Sequence, residues 1–185
     1  MKAGAAGSLL ALCLAGCAIG DPRYPPQWDP LEPPRALDCR GFEGAYADRG
    51  EALEQSRKPS FTRELFGPHS AWEKAERVEL RFPSEDRVEV SVWSADRRLF
   101  ERTLSAAAGE VKCESGRLVL RNIRWVAEVL IAGREDMKME LHDAGDTVVA
   151  AVDERSFGFI FVVVPVAAEA RHWYRFRRLQ PWPRK

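Results

Sequence analysis

The chain is expected to fold as a mainly β protein, an antiparallel meander forming a small barrel or sandwich with one short helix. Two observations carry this expectation. From Glu76 onward, apolar residues recur at every second position, the period of a strand with one buried face. Turn residues then separate the alternating runs at short spacing: Pro83-Ser84, Ser94-Ala95-Asp96, Glu114-Ser115-Gly116 and Asp143-Ala144-Gly145-Asp146. Short connections favour hairpin neighbours and antiparallel pairing. The 185 residues leave room for one domain with its own core.

Taken in order, Gly41 to Tyr46 alternates apolar with polar or small residues and suits a first strand. Residues 47–59 are polar and loop-like, and Asp48-Arg49-Gly50 has turn chemistry. Ser60 to Phe66 reads as a short helix with Phe61, Leu65 and Phe66 on its inner face. Ser60 with Glu64 forms an imperfect capping box, and Gly67-Pro68 stops the helix. Val78-Leu80-Phe82, Val88-Val90-Val92, Leu99 to Leu104, Val111 to Cys113 and Leu118-Leu120 are the next strands.

Arg124 to Ala132 fits a helical turn or a strand, and its β-branched content favours the strand. Met137, Met139 and Leu141 alternate with charges, and Thr147 to Val152 pairs back across the Asp143–Asp146 turn. Phe159 to Val164 is apolar on both faces, so it is expected to be a central strand buried on both sides and ended by Pro165. A lipid-facing barrel strand is the rival reading. It is set aside because the other strands alternate with charges and no aromatic girdle repeats. Arg171 to Leu179 is the last strand.

The N-terminus has a different composition. Lys2 precedes a small, apolar run from Ala3 to Ala15. This run falls short of the roughly 20 residues that span a bilayer, and it matches a secretion signal with a small-residue cleavage site. Leu14-Ala15-Gly16-Cys17 resembles the lipobox of bacterial lipoproteins. The resemblance implies a diacylglyceryl group on the Cys17 sulfur, cleavage before Cys17, and acylation of the new amine by a palmitate-type chain. Ala18 rather than Asp follows the cysteine, and the resemblance then favours the outer membrane, facing the periplasm. The alternative is an ordinary signal peptide in which Cys17 is incidental.

Residues 1–16 are thus read as the signal peptide, 17–36 as the lipidated cysteine and tether, and 37–185 as the soluble β domain. Pro22, Pro25, Pro26, Pro30, Pro33 and Pro34 crowd the tether. They favour extended polyproline II, about 3.1 Å per residue, which would hold the domain off the bilayer. Tyr24 and Trp28 are read as solvated there; contact with headgroups or a partner is the alternative.

Cys13 leaves with the signal and Cys17 takes the lipid, so Cys39 and Cys113 remain. In an oxidising compartment they are expected to form a disulfide. Two buried free thiols are the alternative. No C-x2-C spacing suggests a metal. Cys39 to Glu51 also resembles the C-x4-G-x-Y-x-N/D-x-G-E opening of small uncharacterised proteobacterial lipoproteins, and Trp173 to Phe176 resembles their closing strand. That group brings no activity with it.

The 28 basic and 28 acidic residues balance, and loss of Lys2 leaves 27 basic, so bulk charge points to no polyanion. His69, His142 and His172 have no metal-ligand spacing, and nucleophile-elbow and phosphate-loop motifs are absent. No catalytic residue, metal ligand or cofactor is therefore assigned. Asp48 and Glu51 are the carboxylates where catalysis would first be sought.

Arg171, Trp173, Tyr174, Arg175, Arg177 and Arg178 form the basic and aromatic cluster. Stacking plus charge suits lipid phosphates or an acidic glycan, and export argues against nucleic acid. Edge-strand arginines over core-facing aromatics explain the same residues without a ligand. Two function classes follow. One is a non-catalytic binding or structural module, membrane-anchored by its lipid and meeting an envelope protein. The other is an inhibitor or immunity lipoprotein that inserts a loop into a wall-degrading enzyme, with Asp48 to Lys58 and Gly133-Arg134-Glu135-Asp136 as candidate loops.

Overall fold

The alternating runs become eleven strands in a computed structural model that describes residues 18–19, 23–31, 33, 38–53, 58–127, 131–160 and 164–179. They are β1 (Ala18–Ile19), β2 (Gly44–Ala47), β3 (Glu51–Ala52), β4 (Arg77–Ser84), β5 (Arg87–Ser94), β6 (Arg97–Ser105), β7 (Val111–Glu114), β8 (Arg117–Ala127), β9 (Ile131–Ala144), β10 (Thr147–Ile160) and β11 (Val164–Leu179). One short helix, α1 (Phe61–Phe66), lies between β3 and β4. The expected mainly β, antiparallel fold with one short helix is what the chain adopts.

The strand order is β6-β5-β4-β2-β11-β10-β9-β8-β7, with each neighbouring pair antiparallel. Two meanders are therefore present, β4 to β6 and β7 to β11, and β2 splices them. The sheet is not closed by a ladder. Arg102 on the end strand β6 instead reaches across, donating to Asn122 Oδ1 on β8 at 3.0 Å and to Glu110 Oε1, just before β7, at 2.5 Å.

One core lies inside the curled sheet. Val78, Leu80, Val88, Val90, Val92, Leu104, Leu118, Leu120, Met139, Leu141, Val148, Ala150 and Phe176 are fully buried and belong to a single cluster. Phe61 and Leu65 of α1 join them, and Phe61 meets Phe176 edge-on at 5.0 Å between centroids. The first strand begins later than its sequence pattern suggests, because Arg40–Phe42 forms a single 3-10 turn.

The expected bridge between Cys39 and Cys113 is present. It fastens the segment before β2 to β7, an end strand of the sheet, and closes a separation of 74 residues.

Helix α1 starts as its sequence indicates, with Ser60 Oγ accepting from the Arg63 amide at 3.2 Å. The rest of its N-terminus is satisfied from outside the box. Buried Asp48 accepts from the Thr62 amide (2.9 Å), the Thr62 hydroxyl (2.6 Å) and the Ser60 hydroxyl (2.7 Å). A carboxylate placed at unsatisfied helical N–H groups is favourable on both hydrogen-bonding and dipole grounds.

Two expectations are corrected. Phe159 to Val164 is not one buried strand: β10 ends at Ile160, β11 begins at Val164, and Phe159 is 39 % exposed. Residues 161–163 lie outside the described residues, and apolar residues flank the boundary on both sides, so hydrophobicity alone does not reveal it. Gly133 to Asp136 is not a loop but lies within β9.

Candidate binding surfaces on the outer face of the sheet

Strand alternation divides the cluster on β11. Arg171, Trp173, Arg175 and Arg177 share the outer face of the sheet, while Tyr174 is buried in the core beside Phe176. Arg178 also turns away from the outer face. It donates to the Gly41 carbonyl at 3.0 Å, pairs with Asp143 at 3.3 Å, and lies 5.5 Å from the Tyr46 ring centroid. Burial beneath it pushes the Tyr46 hydroxyl up to about 12. The six residues therefore do not form one binding surface.

Two of the outer-face members, Trp173 and Arg175, are covered by the chain itself. Tyr24 packs edge-on against Trp173, 5.2 Å between centroids. The Arg175 guanidinium sits 4.5 Å from the Trp28 ring centroid, within cation–π range. Pro25 between them is buried. Upstream, β1 pairs in parallel with β11, Ala18 opposite Glu169 and Ile19 opposite Ala170. The residues expected to form a free spacer instead meet β11 at three successive places. Cys17 itself lies outside the described residues.

The carboxylates singled out for possible catalysis have other partners or positions. Asp48 is the buried anchor of α1. Glu51 is exposed on β3, opposite Arg175. His69 Nδ1 accepts from the Ala71 amide at 3.1 Å, and His172 stacks on Tyr174. Among the described residues, no three His, Cys, Asp or Glu side chains group as metal ligands would.

Beyond the core, β8 to β11 continue as an arm whose outer face changes character along its length. Nearest the turns, Glu140 pairs with Arg117 at 2.5 Å and lies 3.4 Å from His142 Nε2. His142 first, then Arg117 and Lys138, hold the Glu140 carboxyl down to about 2 against the opposing effect of burial. Next comes a belt of charge. Arg121 pairs with Asp136, Lys138 and Arg171 approach Asp153, and Arg155 pairs with Glu169 at 2.9 Å. Arg121 holds the Asp136 carboxyl below its usual range.

The last rows are apolar. Trp125, Arg134 and Phe157 stand opposite one another across β8, β9 and β10, followed by Ala127, Ala132 and Phe159. These residues line a shallow groove of about 800 Å³. Its floor is held close by the directly paired Gly133 and Gly158. A Cβ on Gly133 would lie 2.6 Å from the Phe157 carbonyl oxygen, and one on Gly158 would lie 2.6 Å from that of Ala132. Neither position can carry a side chain at this backbone approach. The apolar runs are visible in the sequence, but their meeting across the sheet is set by register between distant segments.

Comparison with protein families, curated proteins and solved structures finds no match to this chain.

Proposed function

We propose that the protein is a lipid-anchored, non-catalytic binding or structural module of the cell envelope, attached through Cys17 to the periplasmic side of the outer membrane. The observation that carries this reading is Leu14-Ala15-Gly16-Cys17 at the end of a short apolar run. The Cys39–Cys113 bridge supports it, because structural disulfides persist in oxidising compartments. Engagement of Asp48 by α1 favours a binding or structural role over catalysis. The inhibitor reading loses one of its two candidate loops, since Gly133 to Asp136 is strand.

Metabolic labelling tests the anchor. Labelled palmitate is expected in the wild-type chain and not in Cys17→Ala. Equal labelling of the two would contradict the reading.

A further inference from the structure

We propose that the apolar end of the β8–β11 arm is a membrane-contact surface that seats against the phospholipid bilayer beside the anchor. The proposal rests on the reading of Cys17 as the attachment point and adds a second, non-covalent contact to it.

Trp125 is 80 % exposed and Phe157 57 %, whereas Phe61 and Phe176 in the core are at 0 %. Large apolar groups clustered on one face mark an interaction site more often than scattered ones do.

The chemistry along the strands is ordered. The apolar rows come last, Arg134 stands between Trp125 and Phe157, and the charged belt follows behind. Aromatic rings at the headgroup level with basic groups beside them suit a bilayer interface.

β11 runs from the apolar end of the arm toward the core, and β1 is parallel to it. β1 is therefore entered from the apolar end, and the residue bonded to Ala18 is Cys17. Ala18 stands opposite Glu169, and Phe157 stands opposite Ala167 on the same strand. Two residues of strand rise separate those rows, roughly 7 Å. The chain thus enters β1 from the end of the arm that carries the apolar face. A second copy of the chain would account for the exposed rings but not for this order or for the point of entry.

The test uses the protein as cells make it, reconstituted in phosphatidylethanolamine and phosphatidylglycerol vesicles with brominated acyl chains. The contribution of Trp125 is taken as the difference between the wild type and Trp125→Phe. Quenching of that difference signal by about two-fold or more is expected, because the ring would lie at the interface. Phe157→Ser with Phe159→Ser should weaken the seating about ten-fold, since apolar burial drives it, and should abolish the quenching while leaving the melting midpoint unchanged. A labelled, vesicle-bound protein whose Trp125 is not quenched would overturn the proposal while leaving the anchor intact. A Trp125 shielded from bromine in a dimer that the same serine variants dissolve would assign the face to a second copy instead. Failure of the anchor reading is read separately, from the palmitate comparison.

Discussion

Strands β8 to β11 are built differently at their two ends. Toward the turns, Leu118, Met139, Leu141, Val148 and Ala150 are fully buried on the inner face, and the disulfide fastens neighbouring β7 to the segment before β2. Toward the other end, the same ladders continue with Trp125, Phe157 and Phe159 exposed on the outer face and two glycines paired at close approach. Backbone pairing is continuous through both halves. What changes is the destination of the apolar side chains. One half uses them to hold the fold, and the other presents them. A strand ladder is thus no guide to where stability resides; side-chain burial is.

The sharpest way to break this comparison is to remove one element from each half. Cys113→Ser releases a loop of 74 residues and should cost roughly 4 kcal/mol in the chain-entropy account. Leu141→Ala, at a fully buried position between Leu118 and Ala150, should cost about 2–5 kcal/mol through lost burial and a cavity. Phe157→Ser should stay within about 0.5 kcal/mol of the wild type, because more than half of the side chain is already exposed. Denaturant midpoints measured on the three variants check the ranking. A Phe157→Ser loss comparable to that of Leu141→Ala would erase the distinction.

A smaller effect separates the charged rows from both halves. Glu140 is held down to about 2 in the folded chain. Its contribution is therefore complete above the ordinary carboxylate range and is lost as the pH falls from about 5 toward 2. Glu140→Gln should cost about 1–2 kcal/mol at pH 7, and the gap from the wild type should narrow below pH 5 and close as the pH falls through about 2. Urea titrations at several pH values measure it. A gap that does not change with pH would mean that the Arg117 and His142 contacts act through packing alone.

The folding half was largely legible in the sequence because its determinants are local. Val88-Val90-Val92 and Met137-Met139-Leu141 alternate strictly, and each faces the core as its period requires. The helix start at Ser60 and the pairing of Cys39 with Cys113 were equally direct. What the sequence concealed depends on partners distant in the chain. Gly133 to Asp136 looks like a loop because a glycine beside charges is turn chemistry, yet Gly133 is there to approach Gly158. Phe159 to Val164 hides a strand boundary because residues on both sides of it are apolar. Prolines made residues 17–36 look like a spacer, while the contacts of Tyr24 with Trp173 and of Trp28 with Arg175 lie across the length of the chain. Asp48 sits in a polar stretch that gives no sign of the helix it anchors.

One set of strands thus divides into a half that folds the protein and a half proposed to meet the membrane. Amide hydrogen exchange along β9 and β10, with and without vesicles, tests it most directly. In water, amides around Leu141 and Val148 should exchange only by global unfolding, and those from Ala132 to Asp136 and from Glu154 to Phe159 should exchange faster through local opening. Adding vesicles should slow exchange in the second group and leave the first unchanged. Equal protection of both groups in water, with no gain at Ala132 to Asp136 on vesicles, would contradict the division.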